Sequence, residues 1–226
     1  MKLGLSGTVL AFTPKPIYSF HKDSMPKILI LGDSISIGYT PFVQEMLKDK
    51  AIVNRPMKGD GKPENCQGTT FGVESIDRWI GDTKWDLIHF NFGLHDLKRV
   101  DPETGANIMN KDHPHQADLK QYKKNLDEIV AKLVKTGAKL IFATTTPYPD
   151  VVEGPVRDPG LPVKYNKQAL KIMKKNNIPI NDLHAFVLPK MAELQLPKNV
   201  HFTKPGSEAL ARQVVKAMIN QLLFDK

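Results

Sequence analysis

Three short clusters in this chain carry side chains with useful chemistry. Gly32-Asp33-Ser34 follows the apolar run Lys27-Ile28-Leu29-Ile30-Leu31. A serine at a strand-to-helix turn exposes its hydroxyl beside its own backbone N–H, so a nucleophile and a donor for a developing oxyanion stand together. Asp and Ser are equally the default residues of a turn that merely caps a helix. Gly93-Leu94-His95-Asp96 follows a second apolar run, residues 85–92. A histidine there serves as a base, a donor or a metal ligand, or simply bonds to loop backbone. His201 lies in Val200-His201-Phe202-Thr203-Lys204-Pro205-Gly206, ahead of a helical stretch. An imidazole fixed at a helix entrance by apolar neighbours can be aimed, and imidazoles exchange protons near neutral pH, which suits a general base.

The elements that must position these residues read as follows. Residues 27–31 form a buried strand ending at Gly32. Thr40-Pro41 looks like a helix N-cap followed by proline at the first helical position, with Phe42, Val43, Met46 and Leu47 as the apolar face. Residues 51–53 form a second strand, and residues 70–80 a helix. Residues 85–92 form a third strand. A long helix begins near Leu119 and stops before Gly137, which sits where a helix-ending glycine belongs. Residues 138–145 form a fourth strand, 163–176 a helix and 178–180 a short fifth strand. Asp182 caps another helix reaching about 195, and the last helix runs from 203 or 204 to about 224. Polar loops cover 56–68, 98–116 and 147–162.

Strands alternating with helices imply an α/β fold, a doubly wound three-layer α/β/α (flavodoxin-like) sheet of about five parallel strands. Function in such sheets gathers at the carboxyl ends of the strands. Ser34, His95 and the loops around them all fall on that side.

The chain has 226 residues, which suits one domain able to bury a full core. We expect a single domain over 26–226, with residues 1–25 as an arm broken by Pro14 and Pro16. Cys66 is the sole cysteine, so an internal disulfide and a Cys-only metal cluster are excluded. The start of the chain imitates a signal peptide only weakly, with one lysine and no Ala-x-Ala site, and localisation is left open. No run approaches the ~18 apolar residues that span a bilayer. Lys and Arg outnumber Asp and Glu by 32 to 24, a formal charge of +8. The basic residues are scattered rather than gathered into a tract, so no nucleic-acid partner is expected, whereas an acidic polysaccharide substrate is compatible with the charge.

Taken together, in this order and frame, the three clusters resemble the SGNH (GDSL) hydrolase family. The resemblance covers nearly the whole chain from Lys27 onward. It implies a serine esterase without a cofactor, with Ser34 as nucleophile and His201 as the base that takes its proton. It implies an oxyanion hole formed by Ser34, a glycine N–H from the loop after strand 2, and a donor in the third block. Gly68 is the first choice for the glycine because it stands just before a helix N-terminus, whose N–H groups are free; Gly59 and Gly61 are the fallbacks. An open crevice rimmed by the polar loops suits a short acyl ester, O-acetyl groups on carbohydrates first; the alternatives are a lipase or thioesterase of the same family and, from Lys198 and the basic charge, a non-catalytic or weakly active glycan- or polyanion-binding protein on the same scaffold.

Two positions depart from the family pattern. Where its third block usually carries an asparagine, this chain has His95. A neutral imidazole donates one N–H, so the role survives, but with a charge expected to vary with pH near neutrality. Where the family usually carries an aspartate three residues before the histidine, this chain has Lys198, which cannot accept a hydrogen bond from imidazole. A Ser34–His201 dyad is therefore expected, with Asn199, a backbone carbonyl or a distant carboxylate orienting the ring. His113-Pro114-His115, beside Asp112, invites a metal reading. A zinc site needs three or four converging ligands, so no metal is expected. No P-loop and no Gly-x-Gly-x-x-Gly follows strand 1, so no nucleotide cofactor is expected either.

Overall fold

In a computed structural model that describes residues 25–223, five parallel strands form one sheet in the order β2-β1-β3-β4-β5. They are β1 (Lys27–Leu31), β2 (Ile52–Asn54), β3 (Leu87–Phe90), β4 (Lys139–Ala143) and β5 (Ile180–Asn181). The seven α-helices among the described residues are α1 (Ser34–Met46), α2 (Thr69–Ile80), α3 (Leu119–Lys135), α4 (Leu161–Lys175), α5 (Leu183–Val187), α6 (Met191–Leu194) and α7 (Lys204–Leu223). The arm expected over 1–25 lies, apart from Met25, outside the described residues.

The central strands are apolar on both faces, as a sheet covered on both sides requires. Side chains alternate along a strand. Ile28 and Ile30 of β1 accordingly enter one core with Tyr39 and Val43 of α1 and Leu210 and Val214 of α7. Leu29 and Leu31 enter the other, with Phe90, Phe92, Ile129 of α3 and Tyr165 of α4. The layers are thus α1, α5 and α7 on one side and α2, α3 and α4 on the other. The strand order reverses between β1 and β3, the position where a crevice opens in this topology. The turns carrying Ser34 and His95 leave the sheet there.

Local chemistry explains where sequence and structure part. Helix α1 begins at Ser34, six residues before the expected Thr40-Pro41 start, because the Asp33 carboxylate accepts from the Ile35 N–H and caps it. Pro41 lies inside the helix, and the Thr40 hydroxyl donates back to the Ser36 carbonyl at 2.6 Å. The single helix expected after Asp182 breaks into α5, a 3₁₀ turn over Leu188–Lys190 and α6, with Pro189 at the break. Asp182 does cap α5, accepting from Ala185. Gly137 holds φ +70 just beyond the α3 C-cap, as its placement predicts.

Candidate active site

The Ser34 turn is tightly held. Asp33 is buried and caps α1, and its backbone carbonyl accepts from the Ser36 hydroxyl at 2.6 Å. Burial raises the Asp33 carboxyl, partly offset by the Ile35 N–H and by the nearby charges of His201 and Arg157. From below, the buried Arg55 guanidinium donates to the Gly32 and Glu64 carbonyls, at 3.3 and 2.8 Å, and to the Ser36 and Thr40 hydroxyls. One side chain therefore ties the β1–α1 turn to the loop after β2. Ser34 itself stands half-buried in the first turn of α1, where backbone N–H groups have no intrahelical partner.

His201 reaches this hydroxyl from the other end of the chain. Its Nε2 lies 2.8 Å from Ser34 Oγ, across 167 residues of sequence. The loop that presents it is short and closed. Leu196 N–H donates to the His201 carbonyl, Asn199 N–H donates to the Leu196 carbonyl, and Gln195 bridges Phe202. Lys198 takes a left-handed φ of +50 in this loop. Lys198 occupies the place where a family member carries its aspartate, and the ring's partner comes from the next residue instead. Asn199 Oδ1 lies 2.8 Å from His201 Nδ1 and 3.0 Å from the His201 backbone nitrogen.

That second contact fixes the tautomer. A backbone N–H only donates, so the atom facing it must be the amide oxygen. The same oxygen then accepts from Nδ1, which carries the ring proton. Nε2 is left with its lone pair toward Ser34 Oγ, the arrangement needed to receive the hydroxyl proton.

Across the crevice, the loop after β3 meets the N-terminus of α2. Gly93 makes the first approach: its φ is +154, and a Cβ there would fall 2.2 Å from Thr145 Oγ1. Asp96 then binds Thr69 twice, accepting from its N–H at 2.8 Å and its hydroxyl at 2.5 Å. Gly68, the α2 N-cap, packs so close that a Cβ would sit 3.1 Å from the Asp96 carboxyl group. His95 and Gly68 are thereby locked together through Asp96. Burial drives the Asp96 carboxyl up to about 7, with Thr69 pulling it down, and Asp96 Oδ2 is buried without a partner among the described residues.

His95 is neutral near physiological pH, contrary to the charge switching expected from its type. Burial, then the charges of Lys98, Arg157 and His201, lower its imidazole to about 3. Lys98 Nζ lies 3.4 Å from His95 Nδ1. An ammonium only donates, so Nδ1 accepts and Nε2 carries the proton. The result is a fixed, neutral N–H donor.

The remaining candidates fall elsewhere. His115 Nδ1 contacts the Leu97 carbonyl and its Nε2 lies 3.7 Å from Asp158, while the His113 carbonyl accepts from Arg99, so this pair is used in loop packing. Gly59 and Gly61 stand in open space, where an added Cβ would meet nothing within 4 Å, whereas Gly68 is packed against Asp96 beside His95. Sequence reasoning missed Arg55, Asp96 as a brace, Lys98 and Arg157. Arg55, Asp96 and Arg157 work through contacts between separate loops of the chain, and Lys98 reaches His95 only because their shared loop folds back on itself; only Asp96 stood within a noted motif.

No protein-family profile matches the sequence, and no curated protein sequence does. Solved structures do match in three dimensions. The acetyl xylan esterase AlAXEase is 18% identical with a TM-score of 0.64, over 84% of this chain and 98% of that one. A lipase/acylhydrolase from Enterococcus faecalis is 19% identical with a TM-score of 0.66, over 87% and 96%. A GDSL-like lipase from Bacteroides thetaiotaomicron is 15% identical with a TM-score of 0.61, over 90% and 92%. The fold is that of the SGNH (GDSL) hydrolases. Identities this low speak to architecture, and within the SGNH hydrolase fold the Ser34, His95 and His201 loops all lie on the carboxyl-end side of the sheet.

Proposed function

We propose that this protein is a serine esterase that hydrolyses short acyl esters, with O-acetyl groups on carbohydrates as the first substrate class. One observation carries the reading: the Ser34 Oγ to His201 Nε2 contact of 2.8 Å, with the proton of the ring held on Nδ1 by Asn199. The acetyl and sugar parts draw support from the acetyl xylan esterases among the structural neighbours.

Ser34 Oγ attacks the ester carbonyl as His201 Nε2 takes the hydroxyl proton. The carbonyl π electrons move onto oxygen, and the N–H groups of Ser34 and Gly68, with His95 Nε2–H, stabilise that charge. The tetrahedral intermediate collapses, the C–O bond to the alcohol breaks, and His201 returns its proton to the leaving oxygen. Water then attacks the acyl-Ser34 ester with His201 again as base, releasing the acid and restoring the hydroxyl. Asn199 does the orienting work of a triad carboxylate but brings no charge to meet the imidazolium.

Turnover of p-nitrophenyl acetate tests this. Saturable hydrolysis that falls by roughly 10³-fold or more in Ser34→Ala, with unchanged circular dichroism, is the expected result. Retained turnover in that variant overturns the assignment, and binding of an acidic polysaccharide without any turnover favours the non-catalytic alternative.

A further inference from the structure

Beside the site lie two buried cations with no carboxylate in contact. Lys98 and Arg157 are 8% and 9% exposed. A charge removed from water normally meets an opposite charge, because desolvation costs several kcal/mol. Yet among the described residues Lys98 Nζ contacts only His95 Nδ1, and the Arg157 guanidinium contacts only two neutral carbonyls, Leu94 at 3.3 Å and Pro155 at 3.2 Å. The contrast within the same loop is informative. Asp158, next in sequence, pairs with Arg99 and His115 rather than with Arg157. Arg157 Nη2 has no partner among the described residues and is not among the sealed, unpartnered atoms, so it is the end of the side chain that meets solvent.

Position gives this surplus of positive charge a role. Leu94, whose carbonyl holds Arg157, lines a small cavity of about 10 Å³ together with Asp33 and Ser36 of the nucleophile turn. Arg157 lies within electrostatic reach of both Asp33 and His95, and Lys98 lies against His95. Arg157, held on the carbonyl of the residue before His95, and Lys98, held on the His95 ring, thus both stand against the loop that carries this proposed oxyanion donor.

We propose that Arg157, backed by Lys98, is an anion subsite, and that the substrate is an ester bearing a carboxylate close to the bond that is cut. A planar guanidinium suits a carboxylate better than it suits neutral hydroxyls. The carboxylate belongs either to the alcohol half, as in an acetylated uronate sugar, or to the acyl half, as in a dicarboxylic half-ester. The proposal deepens the esterase reading and rests on it for the place of the anion relative to Ser34.

The test compares matched neutral and anionic esters. The pairs are O-acetyl methyl glucuronide against O-acetyl methyl glucoside, and mono-p-nitrophenyl succinate against p-nitrophenyl butyrate. In one pair, kcat/KM for the anionic member should exceed its neutral partner at least tenfold at low salt. That preference should shrink at least tenfold in Arg157→Gln, persist in part in Arg157→Lys, and weaken with added salt; the pair showing it tells which half carries the charge. No preference in either pair, or an equal loss on neutral and anionic esters in Arg157→Gln, overturns the subsite and leaves Arg157 as general electrostatic support. Thermal melting of both variants checks that the 147–162 loop still folds. Calorimetry of methyl glucuronide and succinate with Ser34→Ala separates the two readings. Binding that is lost on adding Arg157→Gln supports the subsite even if esterase activity fails, and no binding of either ligand counts against it.

Discussion

Replacing Asn199 by aspartate should make the enzyme faster. In the proposed mechanism His201 is neutral in the resting state and becomes an imidazolium as it takes the Ser34 proton. Asn199 Oδ1 already sits 2.8 Å from His201 Nδ1, so a carboxylate in the same place needs no rearrangement. The new charge interacts only with the charged transition state, so its effect appears in kcat. Two unit charges with centres about 4 Å apart attract by ~1 kcal/mol in water and ~4 kcal/mol at an effective dielectric near 20. His201 is exposed, which places the site toward the watery end. A gain of about 1–3 kcal/mol corresponds to a roughly 5- to 160-fold rise in kcat. Asn199→Ala, by contrast, removes the acceptor that fixes the tautomer and should cost about 10²–10⁴ in kcat. Stopped-flow hydrolysis of p-nitrophenyl acetate measures both. If Asn199→Asp leaves kcat unchanged or lowers it while the protein stays folded, the orienting role assigned to Asn199 is wrong.

Three further outcomes follow from the packing around the proposed oxyanion donors and in the sheet beneath them. Gly68→Ala places a Cβ 3.1 Å from the Asp96 carboxyl, so the carboxyl or the α2 N-terminus it braces must give way by a few tenths of an ångström, and kcat should fall by about 10²-fold, with KM changing little; steady-state kinetics checks this. Asp96 titrates near 7 when folded against 3.8 as its ordinary value, so the folded state holds an extra proton between those limits. Its contribution to stability is complete below about pH 4 and lost as pH rises through 7; melting curves should show that Asp96→Asn, which keeps the Thr69 contacts, removes this alkaline decline of a few kcal/mol at most. His89 moves the opposite way: buried in the sheet, it titrates near 4 rather than 6.5, so the unfolded chain takes up the proton first and stability falls as pH drops from 6.5 to 4, a loss that His89→Gln should reduce in the same melting curves.

Much of the architecture was legible because it is written in local patterns. Residues 27–31 and 139–143 are apolar on both faces and could hardly be anything but covered strands. Where two local signals competed, the sequence was ambiguous. Thr40-Pro41 imitates a helix start, yet Asp33 caps the helix about two turns earlier and the proline is carried inside. Ser34, His201, Asn199 and His95 were visible as motif residues. The protonation of His95 was not, because its neutrality comes from burial and from Lys98 and Arg157, one of them 62 residues away. Arg55 was equally hidden: an arginine after a short strand looks like surface, and only the folded chain brings the Gly32 carbonyl and the Ser36 hydroxyl to it.

The most direct test of the catalytic pair is covalent. A phosphonate ester such as p-nitrophenyl methylphosphonate reacts with an activated serine and stops at the tetrahedral adduct. Intact mass spectrometry should show one adduct per chain, peptide mapping should place it on Ser34, and His201→Ala should react at least a hundredfold more slowly. Labelling at another residue, or labelling of Ser34 at the same rate without His201, would contradict the claim that these two side chains act as one catalytic pair.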